Sequence, residues 1–195
     1  MKRLIFLLIS GTLIFLDNGV VGRDEDFIKL EVTGDCARCN LMKAKLSRKN
    51  LSKANLKGAN LTGADLSNTN LTNANLTNAN LSRTNLSGAD LVNANLKSAD
   101  LSSANLKGAN LSKAELNAYF EGANLSGADL SNTNFKGANF RGANLSGANL
   151  QNTNLSGANL SNANLKLSNL KKISISKDTI FCNTKVPWGI DNSGC

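Results

Sequence analysis

The chain has 195 residues, with 22 Lys and Arg against 14 Asp and Glu, so its formal net charge is +8. It contains no His, which excludes Ser-His-Asp and Cys-His nucleophile systems and every His-ligated metal site.

Residues 1–22 read as a secretory signal peptide. Lys2 and Arg3 form a charged start, and Leu4 to Leu16 is a thirteen-residue apolar core broken only by Ser10, Gly11 and Thr12. A membrane span needs about twenty residues, so this core is short for one. Val20 and Gly22 are small enough for the two specificity pockets of a signal peptidase, which places cleavage near Gly22. No cysteine follows closely enough to suggest a lipoprotein, and an uncleaved N-terminal anchor is the competing reading. Export would leave a periplasmic or secreted single domain of roughly 170 residues, with no stable membrane span after cleavage. Residues 23–40 follow as a cap segment. Within them FIKLEVTGDC predicts a short strand laid over the structure that follows, because a stacked β structure must cover its terminal edge.

From Leu41 to Ile180 a large apolar residue returns every fifth position. Leu41 to Leu116 supplies sixteen such beats without exception, and Phe120 to Ile180, one residue early, supplies thirteen more. Two positions before nearly every beat stands a small residue, usually Ala, as at Ala54, Ala59 and Ala64, and sometimes Thr, as at Thr69 and Thr84. On an α-helix five residues advance about 500°, so the leucines would spiral over every side. On a flat strand, beats five apart would alternate between faces. A coil that turns about 90° every five residues points each beat, and the small residue before it, at one axis. Four repeats then close a coil, and coils stack at about 4.8 Å, the spacing of paired strands.

This run resembles the pentapeptide-repeat family, whose motif is A-(D/N)-L-x-x. The resemblance implies an all-β fold, a right-handed quadrilateral β-helix of about seven coils and roughly 35 Å in length. It also covers both ends of the repeat region. Secreted members look similar in having a C-x-x-C that leads into the first repeats, here Cys36-Ala37-Arg38-Cys39. They also share a Cys-bounded tail of the form P-x-G-x-x-x-S-G-C, here Pro187 to Cys195.

Four cysteines in an exported chain favour disulfides. One metal site using Cys36, Cys39, Cys182 and Cys195 together is excluded, because the two pairs lie at opposite ends of the rod and zinc–sulfur bonds are about 2.3 Å. No metal or other cofactor is expected. Two local clamps, Cys36–Cys39 and Cys182–Cys195, are the better reading, with a redox role for the C-x-x-C as the alternative.

Several irregularities interrupt the repeats. Lys49 occupies a small-residue position, so the first coil is expected to be distorted or open. One residue is missing between Leu116 and Phe120, which predicts a corner defect that Phe120 helps to fill. The defect reads as a tolerated deletion before it reads as a binding notch. Phe120 and Phe140 are twenty residues apart, one full coil, and should stack in the core. Charge is balanced from Gly58 to Leu165, while the lysine excess lies at Lys43 to Lys57 and Lys166 to Lys177. After Leu165 the pattern decays, and residues 181–195 form a C-terminal cap. Phe181, Val186, Trp188 and Ile190 are expected to cover the last coil, with an exposed Trp188 as the rival reading.

No phosphate-binding glycine motif occurs, the carboxylates are scattered, and the inward residues close the lumen. Enzymatic chemistry and a small-molecule substrate are therefore not expected. Some family members protect DNA gyrase by resembling acidic B-form DNA; a rod with basic ends and an export signal departs from that pattern, and no specific nucleic-acid partner is expected. Regular Ser/Thr faces for ice or glycan are lacking. The remaining expectation is an exported structural or protein-interaction rod, its protein partner unknown and end-to-end pairing of two copies open.

Overall fold

The computed structural model describes residues 6–9, 12–15 and 23–195. Strands β1 (Phe6–Ile9) and β2 (Thr12–Phe15) pair antiparallel. Lys2, Arg3, Val20 and Gly22, which carry the ends of the signal-peptide reading, lie outside the described residues.

The segment expected to be a strand is an α-helix, α1 (Arg23–Thr33). Local signals explain the correction. Glu25 and Asp26 place negative charge in the first turn, where the helix dipole favours it. Phe27 and Leu30, three apart, share the face that packs on the core, and Leu30 is fully buried. Gly34, at φ +66°, ends the helix in the left-handed conformation, its N–H bonding the Leu30 carbonyl at 3.0 Å.

Beyond α1 the chain is a β-solenoid. Each residue before a beat bridges in parallel to the residue twenty further on, from Asp35 with Asn55 through Asn95 with Glu115. Every coil is tied to the next by the same bonds. The Leu56 N–H donates to the Asn75 carbonyl (2.8 Å), the Gly58 N–H to that of Thr77 (2.8 Å), and the Asn75 N–H to that of Ala54 (2.9 Å). At the bridge position an Asn or Asp side chain accepts the N–H two residues on, as Asn70 does from Thr72 at 3.0 Å. That side-chain turn explains why the bridge column is almost all Asn and Asp. The third residue after the bridge position takes positive φ, as at Asn68 (+55°) and Gly142 (+68°). These outward positions therefore favour Gly and Asn for a backbone reason.

Both inward positions are buried. Leu46 to Leu111 and the alanines between them are closed to solvent. Where Thr replaces Ala it is buried with its hydroxyl bonded to a backbone carbonyl, Thr69 to Leu46 and Thr84 to Leu61, both at 2.8 Å. No described buried polar side-chain atom lacks a partner. Phe120, Phe135 and Phe140 form an aromatic cluster: Phe120 and Phe140 stack at 4.9 Å between centroids and 13° between planes, and Phe135 meets both edge-on.

The missing residue before Phe120 shortens the bridge interval from twenty to nineteen for four bridges, Asp100 with Tyr119 to Glu115 with Asn134. Leu116, Ala118 and Phe120 all stay inside. The whole loss is taken by the outward turn, which the described backbone no longer makes between Leu116 and Tyr119.

Two expectations along the repeats are corrected. The Lys49 coil is neither open nor distorted: its bridge, Asn50 with Asn70, is kept, and the Lys49 carbonyl still accepts from Asn70 at 3.0 Å. Its side chain leaves the axis and pairs with Glu31 of α1 at 2.6 Å, so a flexible stem and a helix replace the missing small residue. At the other end Ile175 and Ile180 are not core beats. Ile175 is 55 % exposed and Ile180 bridges to Asn159, twenty-one residues back. One extra residue between Ser174 and Ile180 shifts the phase, so Thr179 and Phe181, then Thr184 and Val186, become the inward pairs. The solenoid thus runs past Ile180, into the segment expected to be only a cap.

Strands β3 (Thr184–Val186) and β4 (Gly189–Asp191) form a hairpin on the last coil, β3 bridged to the coil below at Asn164. The Phe181 N–H donates to the Ser193 carbonyl at 2.8 Å, bringing the tail back across the end.

Candidate interaction surfaces

With the axis filled by side chains, what the repeats offer to a partner is the outside of the solenoid. The cysteines are bonded as two local pairs, Cys36–Cys39 and Cys182–Cys195, with Cα separations of 5.1 and 4.8 Å. No free cysteine and no His/Cys/Asp/Glu group able to hold a metal occurs among the described residues. The first pair lies buried beneath α1, and the second joins the last coil to the tail. Phe120 and Phe140 belong to the core, both closed to solvent.

Ionisable groups sit on the surface. Asp65 accepts the N–H and hydroxyl of Ser67 and the side-chain amide of Asn85, and these bonds hold its carboxyl below the usual value. Two further ion pairs flank the four-residue repeat: Lys97 with Glu115 at 2.8 Å, and Arg141 with Glu121 at 3.4 Å. Being exposed, they contribute little to stability.

Two depressions stand out among the described residues. The first, of about 450 Å³, lies where the outward turn is missing, between Lys97 and Lys136, with Glu115, Asn117, Asn132 and Asn134 around it. It is shallow and mixed in polarity, with Ala114 and Leu116 also in its wall, and follows directly from the deletion. The second, of about 480 Å³, is at the C-terminal tip, bounded by Lys166, Leu167, Val186, Pro187 and Ile190.

The tip differs from the expected lid. Phe181 and Val186 are buried, as a cover requires, but Trp188 is 73 % and Ile190 62 % exposed. Their position explains it. Pro187 and Trp188 are the two turn residues between β3 and β4, so Trp188 projects from the hairpin's end, and Ile190 sits opposite Lys185 on the outward side of the pair. Leu167, 87 % exposed, borders the same depression as Ile190 and Pro187. No rule based on inward beats finds this cluster, because all three residues fall outside the two inward positions.

Eight copies of the model of the family described as pentapeptide repeats match the chain, over residues 35–73, 79–117, 117–152 and 143–176. Comparison with curated proteins gives no match. Similar solved structures include HetL, a pentapeptide repeat protein involved in heterocyst differentiation regulation from the cyanobacterium Nostoc sp. strain PCC 7120. It is 28 % identical over 80 % of this chain and 87 % of its own, with a TM-score of 0.44. Trypsin-treated QnrB1, a plasmid-mediated fluoroquinolone resistance protein, is 18 % identical over 83 % of this chain and 86 % of its own, with a TM-score of 0.60, a likeness of fold alone. Rfr23, a pentapeptide repeat protein from the cyanobacterium Cyanothece 51142, is 32 % identical over 80 % of this chain and 97 % of its own, with a TM-score of 0.24. With most of its length matched by the repeat model, and with the five-residue beat, the buried small residues and the Asn bridges all in place, the chain belongs to the pentapeptide repeat family.

Proposed function

We propose that the protein is an exported, non-enzymatic rod that serves as a structural or protein-interaction scaffold in the periplasm or outside the cell. Its shape in this reading is a right-handed quadrilateral β-helix of about seven coils. Bridges twenty residues apart support it, since four five-residue repeats then complete one coil. The observation that carries the scaffold role is the filled interior. Both inward positions of the repeats are buried, so recognition falls to the polar outer faces.

The two disulfides support a non-reducing compartment. No helix among the described residues is long and apolar enough to cross a membrane. A DNA-mimicking role calls for an acidic rod, and a net charge of +8 with basic ends runs against it.

The test is the intact mass of the protein produced from the full-length sequence in a bacterium and recovered from the periplasm, with and without reductant and thiol alkylation. A mass short by the 22 residues of the leader, with no alkylatable thiol before reduction, is the expected result. A full-length cytosolic species with four reactive thiols overturns the export reading.

A further inference from the structure

The C-terminal tip combines three features that the fold itself does not need. The first is apolar exposure. Leu167, Trp188 and Ile190 are the most exposed large apolar side chains among the described residues, and Leu167 and Ile190 border one depression with Pro187.

The second is backbone cost. Leu167 has φ +61°, and it is the one apolar side chain among the described non-glycine residues of positive φ. The same position in the four preceding coils is held by Gly88, Gly108, Gly127 and Gly147. A leucine there adopts a conformation that L-residues disfavour and exposes its side chain as well. Positive φ belongs to the turn of the repeat, and what sets Leu167 apart is an exposed apolar side chain at a position held elsewhere by Gly, Asn, Ser, Lys or Arg.

The third is charge. Lys166, Lys171 and Lys177 fall on successive repeats, hence on successive sides of the last coil, with Lys172 beside Lys171 and Lys185 on β3. All five are exposed and none is in an ion pair among the described residues. Asp178 and Asp191 offset only part of this charge.

We propose that this tip docks end-on onto an anionic lipid surface, with Trp188, Leu167 and Ile190 entering the headgroup region and the lysines resting on the phosphates. Trp is suited to the boundary between headgroups and hydrocarbon, and lysines carry their stems along apolar surface with the ammonium outward. Cations spread around several sides of an apolar tip match a plane better than a one-sided peptide groove. A second copy meeting tip to tip would face lysines with lysines. The N-terminal end is also basic but lacks the apolar part: Phe27 and Leu30 of α1 pack on the core there, and Val32 is its one exposed large apolar residue among those described.

The experiment is co-sedimentation of the purified, disulfide-intact chain with vesicles of phosphatidylcholine alone or mixed with phosphatidylglycerol. Trp188 fluorescence is followed in parallel; it is the chain's only Trp and reports on the tip alone. Binding to the anionic vesicles, weakened by added salt, with a blue shift of the Trp emission, is expected. Trp188→Ala and Leu167→Gly should each weaken binding by about tenfold. Leu167→Gly is the decisive variant, because it should raise the melting temperature by a few degrees while reducing binding. A structural role for Leu167 predicts the reverse sign for stability. Replacing Lys43, Arg48 and Lys53 at the other end should leave binding unchanged. Absence of binding, equal binding to neutral vesicles, or binding without a Trp shift would each overturn the proposal, the last by assigning contact to general charge. A tip that prefers an acidic protein or a second copy shows itself as the first of these.

Discussion

Asp65 shows how one side chain serves the repeat and where it differs from its neighbours. It stands in the bridge column, where most coils place Asn, and its carboxylate accepts from Ser67 and Asn85. On its C-terminal side the same column runs on as a ladder of side-chain amides, while Lys45 is its neighbour on the other side. Asn105 donates to Asn85 at 3.2 Å, Asn144 to Asn124 at 3.4 Å and Asn164 to Asn144 at 3.3 Å. An Asn oxygen can accept the same bonds, so Asp65→Asn should be nearly neutral at pH 7. The difference lies in acid. Because the folded state holds the Asp65 carboxyl below the usual carboxylate range, its contribution is present above that range and fades as the pH falls through the lower folded value. The wild type should therefore lose stability relative to Asp65→Asn only below about pH 4. Denaturant midpoints of the two proteins at pH 7 and pH 3 measure this. A gap that is the same at both pH values sinks the assignment.

Elements at the two ends are held differently from the coils between them. α1 covers the first coil with Leu30 and Phe27, and the β3–β4 hairpin covers part of the last with its own backbone. The Cys182–Cys195 bond closes thirteen residues and, by chain-entropy reasoning, contributes about 3 kcal/mol. In a stack where each coil touches only its neighbours, that loss should stay local. Replacing both cysteines by Ser should speed amide exchange across residues 181–195 by about a hundredfold, leaving residues 60–150 protected; uniform loss of protection would refute local capping. The same elements show what could be read from the residues. The solenoid was legible because its signal repeats: one beat, one small residue and one Asn recur with little interruption. α1 escapes the pattern because alternating apolar residues in a short segment also suit a strand, whereas the acidic first turn and Gly34 are the better guide. The six-residue step was hidden because Ile175 and Ile180 kept the beat by accident. Asp178, unsuited to an inward site, pointed to it, and the pairs Thr179–Phe181 and Thr184–Val186 are the true continuation. An exposed Trp188 is the rival reading already in the sequence, and Leu167 stands at a turn position that elsewhere favours Gly or Asn, yet neither signal shows that the two share the tip.

Seen as a whole molecule, the protein is a one-dimensional stack whose core has no centre. Charge follows the same axis: six basic and six acidic residues balance between Gly58 and Leu165, and the excess is left to the ends. One consequence is that length should be separable from fold. Removing residues 66–85 joins Asp65 to Leu86, restores the A-D-L pattern without a break, and deletes one bridge interval of twenty residues. Each remaining coil keeps its neighbours, both ends keep their caps, and the two ends keep their mutual orientation. The shortened protein should fold with both disulfides closed and a rod about 4.8 Å shorter, the spacing of one strand layer. It should also melt at a lower temperature, because one coil's burial and one coil-to-coil interface are gone. Removing two residues fewer, 66–83, instead joins Asp65 to Thr84 and puts Leu86 two places late, so that downstream beats no longer meet the coil below. The one-residue shortening at Leu116–Phe120 is a different case: it is absorbed by an outward turn while Leu116, Ala118 and Phe120 remain inside. Circular dichroism, thiol alkylation and small-angle scattering on both variants decide the matter. A twenty-residue deletion that exposes thiols or fails to melt cooperatively would show that stability depends on particular coils and not on the stacking rule. Equal folding of the eighteen-residue deletion would show that the vertical register of the beats is not what holds the rod together.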